Sequence, residues 1–170
     1  MSDKVTIAQA LRRIKKLKGQ IAEHTSYAQQ SVSYVWGKTP AFRFTSQLAA
    51  LTTAREEMLD LEARVAVANA KKLVTDNSGK KVVLALAIRQ LQELKGQIAF
   101  YRGLNLRSET VREKEQNWDD DQMKHITRVI QVVYVSDLTE SDRAAYIREL
   151  QDQFETLNNA VEEANHTVLV

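Results

Sequence analysis

Apolar residues recur every three or four positions over residues 6 to 28, where Ile7, Ala10, Leu11, Ile14, Leu17, Ile21 and Ala28 form one stripe. That interval matches the 3.6-residue turn of an α-helix, and Thr6 with Gln9 has the spacing of a capping box, so a helix is predicted to start at that threonine. A second stripe over roughly 46 to 73 uses Leu48, Leu51, Met58, Leu61, Val65 and Ala68. Thr75-Asp76-Asn77-Ser78-Gly79 follows, and its Asn, Asp and Gly accept the dihedrals of a turn. Val83, Leu84, Ala87, Leu91, Leu94 and Ile98 define a third helix. A fourth begins near Thr139, with Asp142 three positions on, and continues through Ile147, Leu150, Phe154, Leu157 and Val161.

Between the paired helices the period changes from 3.6 to 2. Ser31 to Trp36 and Ala41 to Thr45 flank Gly37-Lys38-Thr39-Pro40, and alternation places Val32, Tyr34 and Trp36 on one face with Phe42 and Phe44 on a matching one. This predicts a β-hairpin. Ile126 to Val135 is rich in β-branched residues, and the acidic turn Asp119-Asp120-Asp121 separates it from the more polar stretch Leu106 to Trp118, which predicts a second, longer hairpin.

The two halves repeat one another. Leu17-Lys18-Gly19-Gln20-Ile21-Ala22 recurs letter for letter as Leu94-Lys95-Gly96-Gln97-Ile98-Ala99, an offset of 77. Upstream, Ala8, Ala10, Leu11, Arg12 and Ile14 match Ala85, Ala87, Ile88, Arg89 and Leu91. At an offset of 96, Leu61, Val65, Ala68 and Asn69 are echoed by Leu157, Val161, Ala164 and Asn165, so the second half holds about 19 extra residues between its helices. The expected fold is mainly α: an antiparallel four-helix bundle from two helix, β-hairpin, helix repeats, with both hairpins projecting. The chain reads as one domain over 1–170, with repeat 1 at about 6–74 and repeat 2 at about 79–170.

Composition narrows the function classes. At 44% apolar and 27% charged residues the chain has globular proportions, and no apolar run approaches the ~20 residues of a membrane span. Met1 to Arg13 has spaced rather than contiguous apolar residues, unlike a secretory signal, so a cytoplasmic protein is expected, in the host cytoplasm if phage-encoded. The absence of cysteine excludes thiolate metal sites, disulfides and a cysteine nucleophile. His24, His125 and His166 have no histidine partner at helical spacing, and Glu56, Glu57, Asp60, Glu162 and Glu163 read as solvated helix faces, so no metal site and no cofactor is expected. Asp119-Asp120-Asp121 lacks the interleaved ligands, glycine and terminal Glu of a calcium loop. There is no Walker A loop, GxGxxG or nucleophile elbow, and no catalytic residue is assigned.

Charge and aromatic residues supply the positive signal. The net charge is +2, yet residues 1 to 45 carry eight Lys or Arg against two acids, and residues 138 to 170 carry two against seven. The ends either complement one another or leave the basic end facing an anion. Tyr34, Trp36, Lys38 and Arg43, with Phe42 and Phe44, fill eleven residues without an acid, and Tyr101, Arg102 and Arg107 repeat the combination after the third helix. Rings stack on nucleobases while Lys and Arg pair with phosphate, so these residues, with Arg128 of the longer hairpin, are the candidate ligand-binding set for a small anionic nucleotide. The same rings in a mini-core between hairpin and bundle are the competing reading. Duplex nucleic acid is disfavoured because acids nearly cancel the bases.

The chain resembles a family of bacterial and phage helical proteins called septicolysin-like. The resemblance is carried by Asn69, by Ile126 to Asp137 leading into the fourth helix, and by Glu163-Ala164-Asn165-His166-Thr167. His166 stands where that family commonly has Trp. The label implies a toxin, which the lack of a signal-like N-terminus opposes. The chain is also similar in type to the phage anti-CBASS sponges, small helical homo-oligomers that sequester cyclic-nucleotide immune signals. The expectation is therefore a non-enzymatic homo-oligomer, tetrameric or hexameric, that captures a cyclic di- or trinucleotide in phage immune evasion. The alternative is a structural or assembly protein, such as a phage particle component, whose hairpins contact neighbouring subunits.

Overall fold

The computed structural model describes residues 4–119 and 123–170. The chain is mainly helical, in the order α1 (Ile7–Ser31), α2 (Phe44–Lys71), β1 (Leu73–Thr75), β2 (Lys81–Val83), α3 (Leu84–Gly103), β3 (Thr110–Asp119), β4 (Lys124–Val133) and α4 (Glu140–Thr167). It divides into two compact units. The first comprises residues up to Gln92 together with Glu155–Val170, and the second is Glu93–Phe154. Both boundaries fall inside helices, α3 and α4, and not at the turn between the two sequence repeats.

In the first unit, α1 starts where the capping box places it. The Thr6 backbone N–H donates to Gln9 Oε1 at 2.9 Å, and the Gln9 N–H donates to Thr6 Oγ1 at 3.2 Å. Two of the helix's otherwise unpaired N-terminal donors are thus satisfied. α2 packs antiparallel to α1. Arg13 pairs with Glu57, Lys18 Nζ with Glu62 at 3.1 Å, and His24 Nδ1 lies 2.8 Å from Gln47 Oε1. Part of the basic excess of α1 is therefore met by acids of α2. Ile7, Ala10, Ile14, Leu17, Leu51, Leu61, Val65, Val74, Leu84, Leu157 and Val161 are buried and form the core. Three pairs of positions matched by the sequence repeat are buried alike, Ala10 and Ala87, Leu61 and Leu157, Val65 and Val161, whereas Leu11 is exposed and its match Ile88 half-buried. The C-terminal residues return to α1 through a bridge between Thr6 and Leu169, with Val5 and Val170 exchanging both backbone hydrogen bonds.

Sequence reasoning expects a turn at residues 75 to 79 and a hairpin at 31 to 45, and the structure reverses the latter. β1 and β2 pair antiparallel, Leu73 opposite Val83, around the Asp76–Gly79 turn. Gly79 has φ +79°, its N–H donates to Asp76 O at 3.0 Å, and Asp76 N donates to Lys80 O at 2.9 Å. This is a type I turn closed by a left-handed glycine, the favoured three-residue hairpin loop. Asp76 Oδ1 accepts from Ser78 N, Ser78 Oγ and Lys80 N at 2.7 to 2.9 Å, and these bonds hold its carboxyl below the ordinary carboxylate pKa. Residues 32–43 instead form an irregular connection with no strand. Ser31 is spent as the last residue of α1, Phe44 as the first of α2, and Pro40 has no N–H for a ladder. What remains is too short for a two-stranded ribbon with no face to pack on.

In the second unit the longer hairpin is present. β3 and β4 pair antiparallel from Thr110 opposite Val133 to Asp119 opposite Lys124. Asp120 and Asp121, which complete the expected acidic turn, lie outside the described residues. Tyr101 stacks on Tyr146 with centroids 5.5 Å apart, and Arg143 Nη1 donates to Leu104 O at 2.8 Å, which joins α3 to α4 within this unit. Thr139 caps α4, its Oγ1 accepting from Asp142 N at 3.1 Å.

Candidate functional site

The connection between α1 and α2 encloses a cleft of about 450 Å³ lined by Ser31, Val32, Tyr34, Lys38, Thr39, Pro40, Arg43, Phe44 and Thr45. Its shape follows from three local constraints. Ser31 is buried, and its Oγ donates to Ala28 O at 3.2 Å, closing α1. Val35 to Lys38 then reverses the chain, with Lys38 N donating to Val35 O at 3.0 Å and Gly37 at φ +79°. A glycine with positive φ at the third position is what a type II turn requires. Phe42 finally pins the returning chain to α1, its ring stacked on Tyr27 with centroids 4.1 Å apart at 19°. The Tyr27 hydroxyl is tied in turn to Glu23, and that hydrogen bond to a carboxylate pushes its pKa up.

Two cations and a phenol ring, all selected by sequence, meet in this cleft: Lys38, Arg43 and Tyr34. Among the described residues no Asp or Glu lines it, and neither cation makes an ion pair. Three hydroxyl residues, Ser31, Thr39 and Thr45, join the lining. Sequence reasoning passes over them, although their positions beside the helix ends mark them as capping and anion-binding types.

The other selected residues are placed differently. Trp36 sits at the turn, 98% exposed, and does not line the cleft. Tyr101 belongs to the ring cluster with Phe100 and Tyr146, and Arg102 is in the last turn of α3. Arg107 lies over the Tyr134 ring, 4.8 Å from its centroid, and Tyr134 Oη donates to Glu113 Oε1 at 2.6 Å. The Glu113 carboxylate raises the Tyr134 pKa, with Arg107 opposing it. Arg128 is on β4 opposite Glu115. These four belong to the second unit.

A larger and more apolar groove, about 580 Å³, runs between the end of α2 and the C-terminal residues, lined by Ala63, Arg64, Val67, Ala68, Lys71, Lys72 and Val168 to Val170. Volume favours that groove, but its polar groups are fewer, and Arg64 is already engaged by Asp60 and by the Val170 carbonyl. The cleft at 31–45 has the convergent cations and hydroxyls that orient a ligand, which decides the choice. Among the described residues no cluster of His, Asp or Glu is arranged to hold a metal ion, and no helix is long and apolar enough to cross a membrane.

No protein-family model matches the chain, and no curated protein matches it. Among solved structures, one from Corynebacterium diphtheriae, described as a functionally unknown conserved protein, is similar with a TM-score of 0.71. The match covers 99% of each chain at 14% identity, a likeness that establishes a shared fold and carries no activity with it.

Proposed function

We propose that this chain is a non-enzymatic, homo-oligomeric binding protein that captures a small anionic nucleotide, a cyclic di- or trinucleotide being the best fit, and sequesters it without cleavage in the cytoplasm. The observation that carries the reading is the acid-free cleft of about 450 Å³ in which Lys38 and Arg43 converge beside Tyr34. Two cations with no ion-pair partner among the described residues favour phosphate, and a phenol ring offers a stacking face for a base. The repeat in the sequence, with three matched pairs buried alike, supports reading the chain as a duplicated helix pair.

The test is to incubate the protein with cyclic di- and trinucleotides, remove free ligand, denature the protein and analyse what is released. Intact nucleotide supports sequestration. Cleaved product would make the protein an enzyme, and no retained nucleotide would reject the nucleotide reading.

A second reading, an assembly protein, is favoured by one observation: Trp36 is 98% exposed beside the exposed Tyr34 and Val35. An unburied Trp with aromatic neighbours is the composition of an interface anchor. On this reading Trp36→Ala reduces the size of the assembly.

A further inference from the structure

β3 and β4 form a two-stranded ribbon ten residues long, and most of its side chains are exposed on both faces. Ribbons of two strands are marginal alone, and each open edge presents unpaired backbone groups. The two edges differ in composition. β3 carries four consecutive charges, Arg112, Glu113, Lys114 and Glu115, whereas His125 to Val133 of β4 holds one, Arg128, among Ile126, Val129, Ile130, Val132 and Val133.

The register fixes which groups of β4 point outward. Tyr134 N donates to Glu109 O at 2.8 Å, directly beyond the Thr110–Val133 pair. Residues of an antiparallel strand alternate in turning both backbone groups toward or away from a given partner. Ile126, Arg128, Ile130 and Val132 therefore bond to β3, and His125, Thr127, Val129, Gln131 and Val133 offer N–H and C=O to the open edge. Val129 and Val133, 65% and 66% exposed, lie in this outward set.

We propose that two copies of this chain join through β4, edge to edge about a two-fold axis, so that two ribbons become one four-stranded antiparallel sheet. This gives a specific interface to the homo-oligomer part of the reading above and does not depend on the ligand. The two-fold alternation rule allows only registers centred on a residue. Centred on Val129, Arg128 faces Ile130 of the second copy, Thr127 faces Gln131 and Ile126 faces Val132. Centred on Ile130 or Gln131, Arg128 faces Val132 or Tyr134. None of these sets like charges opposite one another. The equivalent pairing of β3 fails near its middle: centred on Glu113 it opposes Arg112 to Lys114, and centred on Lys114 it opposes Glu113 to Glu115. Like charges directly opposite are destabilising, so the second copy is directed to β4. Two-fold pairing of one surface with itself is also the commonest form of closed oligomer.

Sedimentation equilibrium on the full chain tests the interface. Val129→Pro removes an outward N–H and leaves the bonds to β3 intact, because edge positions tolerate proline. The double variant Val129→Lys, Val133→Lys keeps the backbone and places lysine at the centre of the pairing. Wild type is expected as an even-numbered assembly, and both variants at half its mass or less with an unchanged far-ultraviolet circular dichroism spectrum. If the proline variant misfolds, the lysine variant decides. An oligomeric wild type whose mass both variants retain overturns the β4 interface while leaving homo-oligomerisation standing. A wild type monomeric at its highest soluble concentration overturns both, and nucleotide retention measured on the same samples reports separately on the cleft.

Discussion

Replacing Tyr34, Arg43 and Trp36 one at a time by alanine separates the cleft from the exposed tip of the turn at Trp36. Tyr34 and Arg43 line the cleft, while Trp36 is 98% exposed and outside it. Loss of a stacking ring costs about 1 to 3 kcal/mol per base, so Tyr34→Ala should weaken nucleotide binding roughly 5- to 150-fold. A hydrogen bond to a charged partner is worth about 1.5 to 3 kcal/mol. Arg43 is solvent-exposed, which places Arg43→Ala at the lower end, about a tenfold loss. Trp36→Ala should change affinity by less than about twofold, the usual range for a surface side chain away from the ligand. Isothermal titration calorimetry with a cyclic dinucleotide measures all three, with circular dichroism as the folding control. A Trp36→Ala loss larger than that of Tyr34→Ala would refute the cleft assignment, because no cleft contact accounts for it.

Three further outcomes test the scaffold around the cleft. Leu157, 1% exposed, loses three carbons in Leu157→Ala, so transfer and cavity terms together should cost roughly 2.5 to 5 kcal/mol and lower the thermal midpoint by about 5 to 20 °C, whereas Leu59→Ala, at a 60% exposed position, should cost under about 0.5 kcal/mol by differential scanning calorimetry. Asp76 has a folded pKa below its ordinary value, so its hydrogen bonds stabilise the β1–β2 hairpin fully above about pH 4 and are lost as pH falls through the lowered folded value; protection of the Ser78 and Lys80 amides, taken relative to their intrinsic exchange rates, should fall at acid pH, and Asp76→Ala should remove that pH dependence. Phe42→Ala removes the stack on Tyr27, worth about 0.5 to 1.5 kcal/mol beyond its area, and should make residues 32–43 cleave faster under limited proteolysis while the helices hold.

The helices were legible because each carries its own evidence. The capping box at Thr6, the stripe from Ile7 to Leu17 and the cap at Thr139 are local features, and they act within a turn or two of the residues that encode them. The β3–β4 ribbon was legible for the same reason, since β-branched residues crowd residues 126 to 135. Residues 31–45 misled because alternation is necessary for a strand and not sufficient. Tyr34, Trp36, Phe42 and Phe44 alternate well, yet each has a separate fate: a cleft wall, a free turn, a stack on α1 and the first turn of α2. The competing claim of helix propagation at both ends consumed the residues a ladder needed. The β1–β2 hairpin was missed in the opposite way, because Asp76 to Gly79 announced a turn while three-residue strands are too short to show a period.

The candidate site was legible in its chemistry and illegible in its grouping. Residue type alone selected Tyr34, Lys38 and Arg43, which the chain brings to one cleft because Gly37 reverses its direction and Phe42 anchors its return. Arg107 met the same compositional criterion, but its guanidinium covers Tyr134, whose hydroxyl is already bonded to Glu113. A cation over a ring with a carboxylate nearby is satisfied in place, whereas Lys38 and Arg43 make no ion pair among the described residues. That difference ranks the selected cations by what folding leaves unsatisfied. It is the reason the proposed anion site is assigned to the α1–α2 connection.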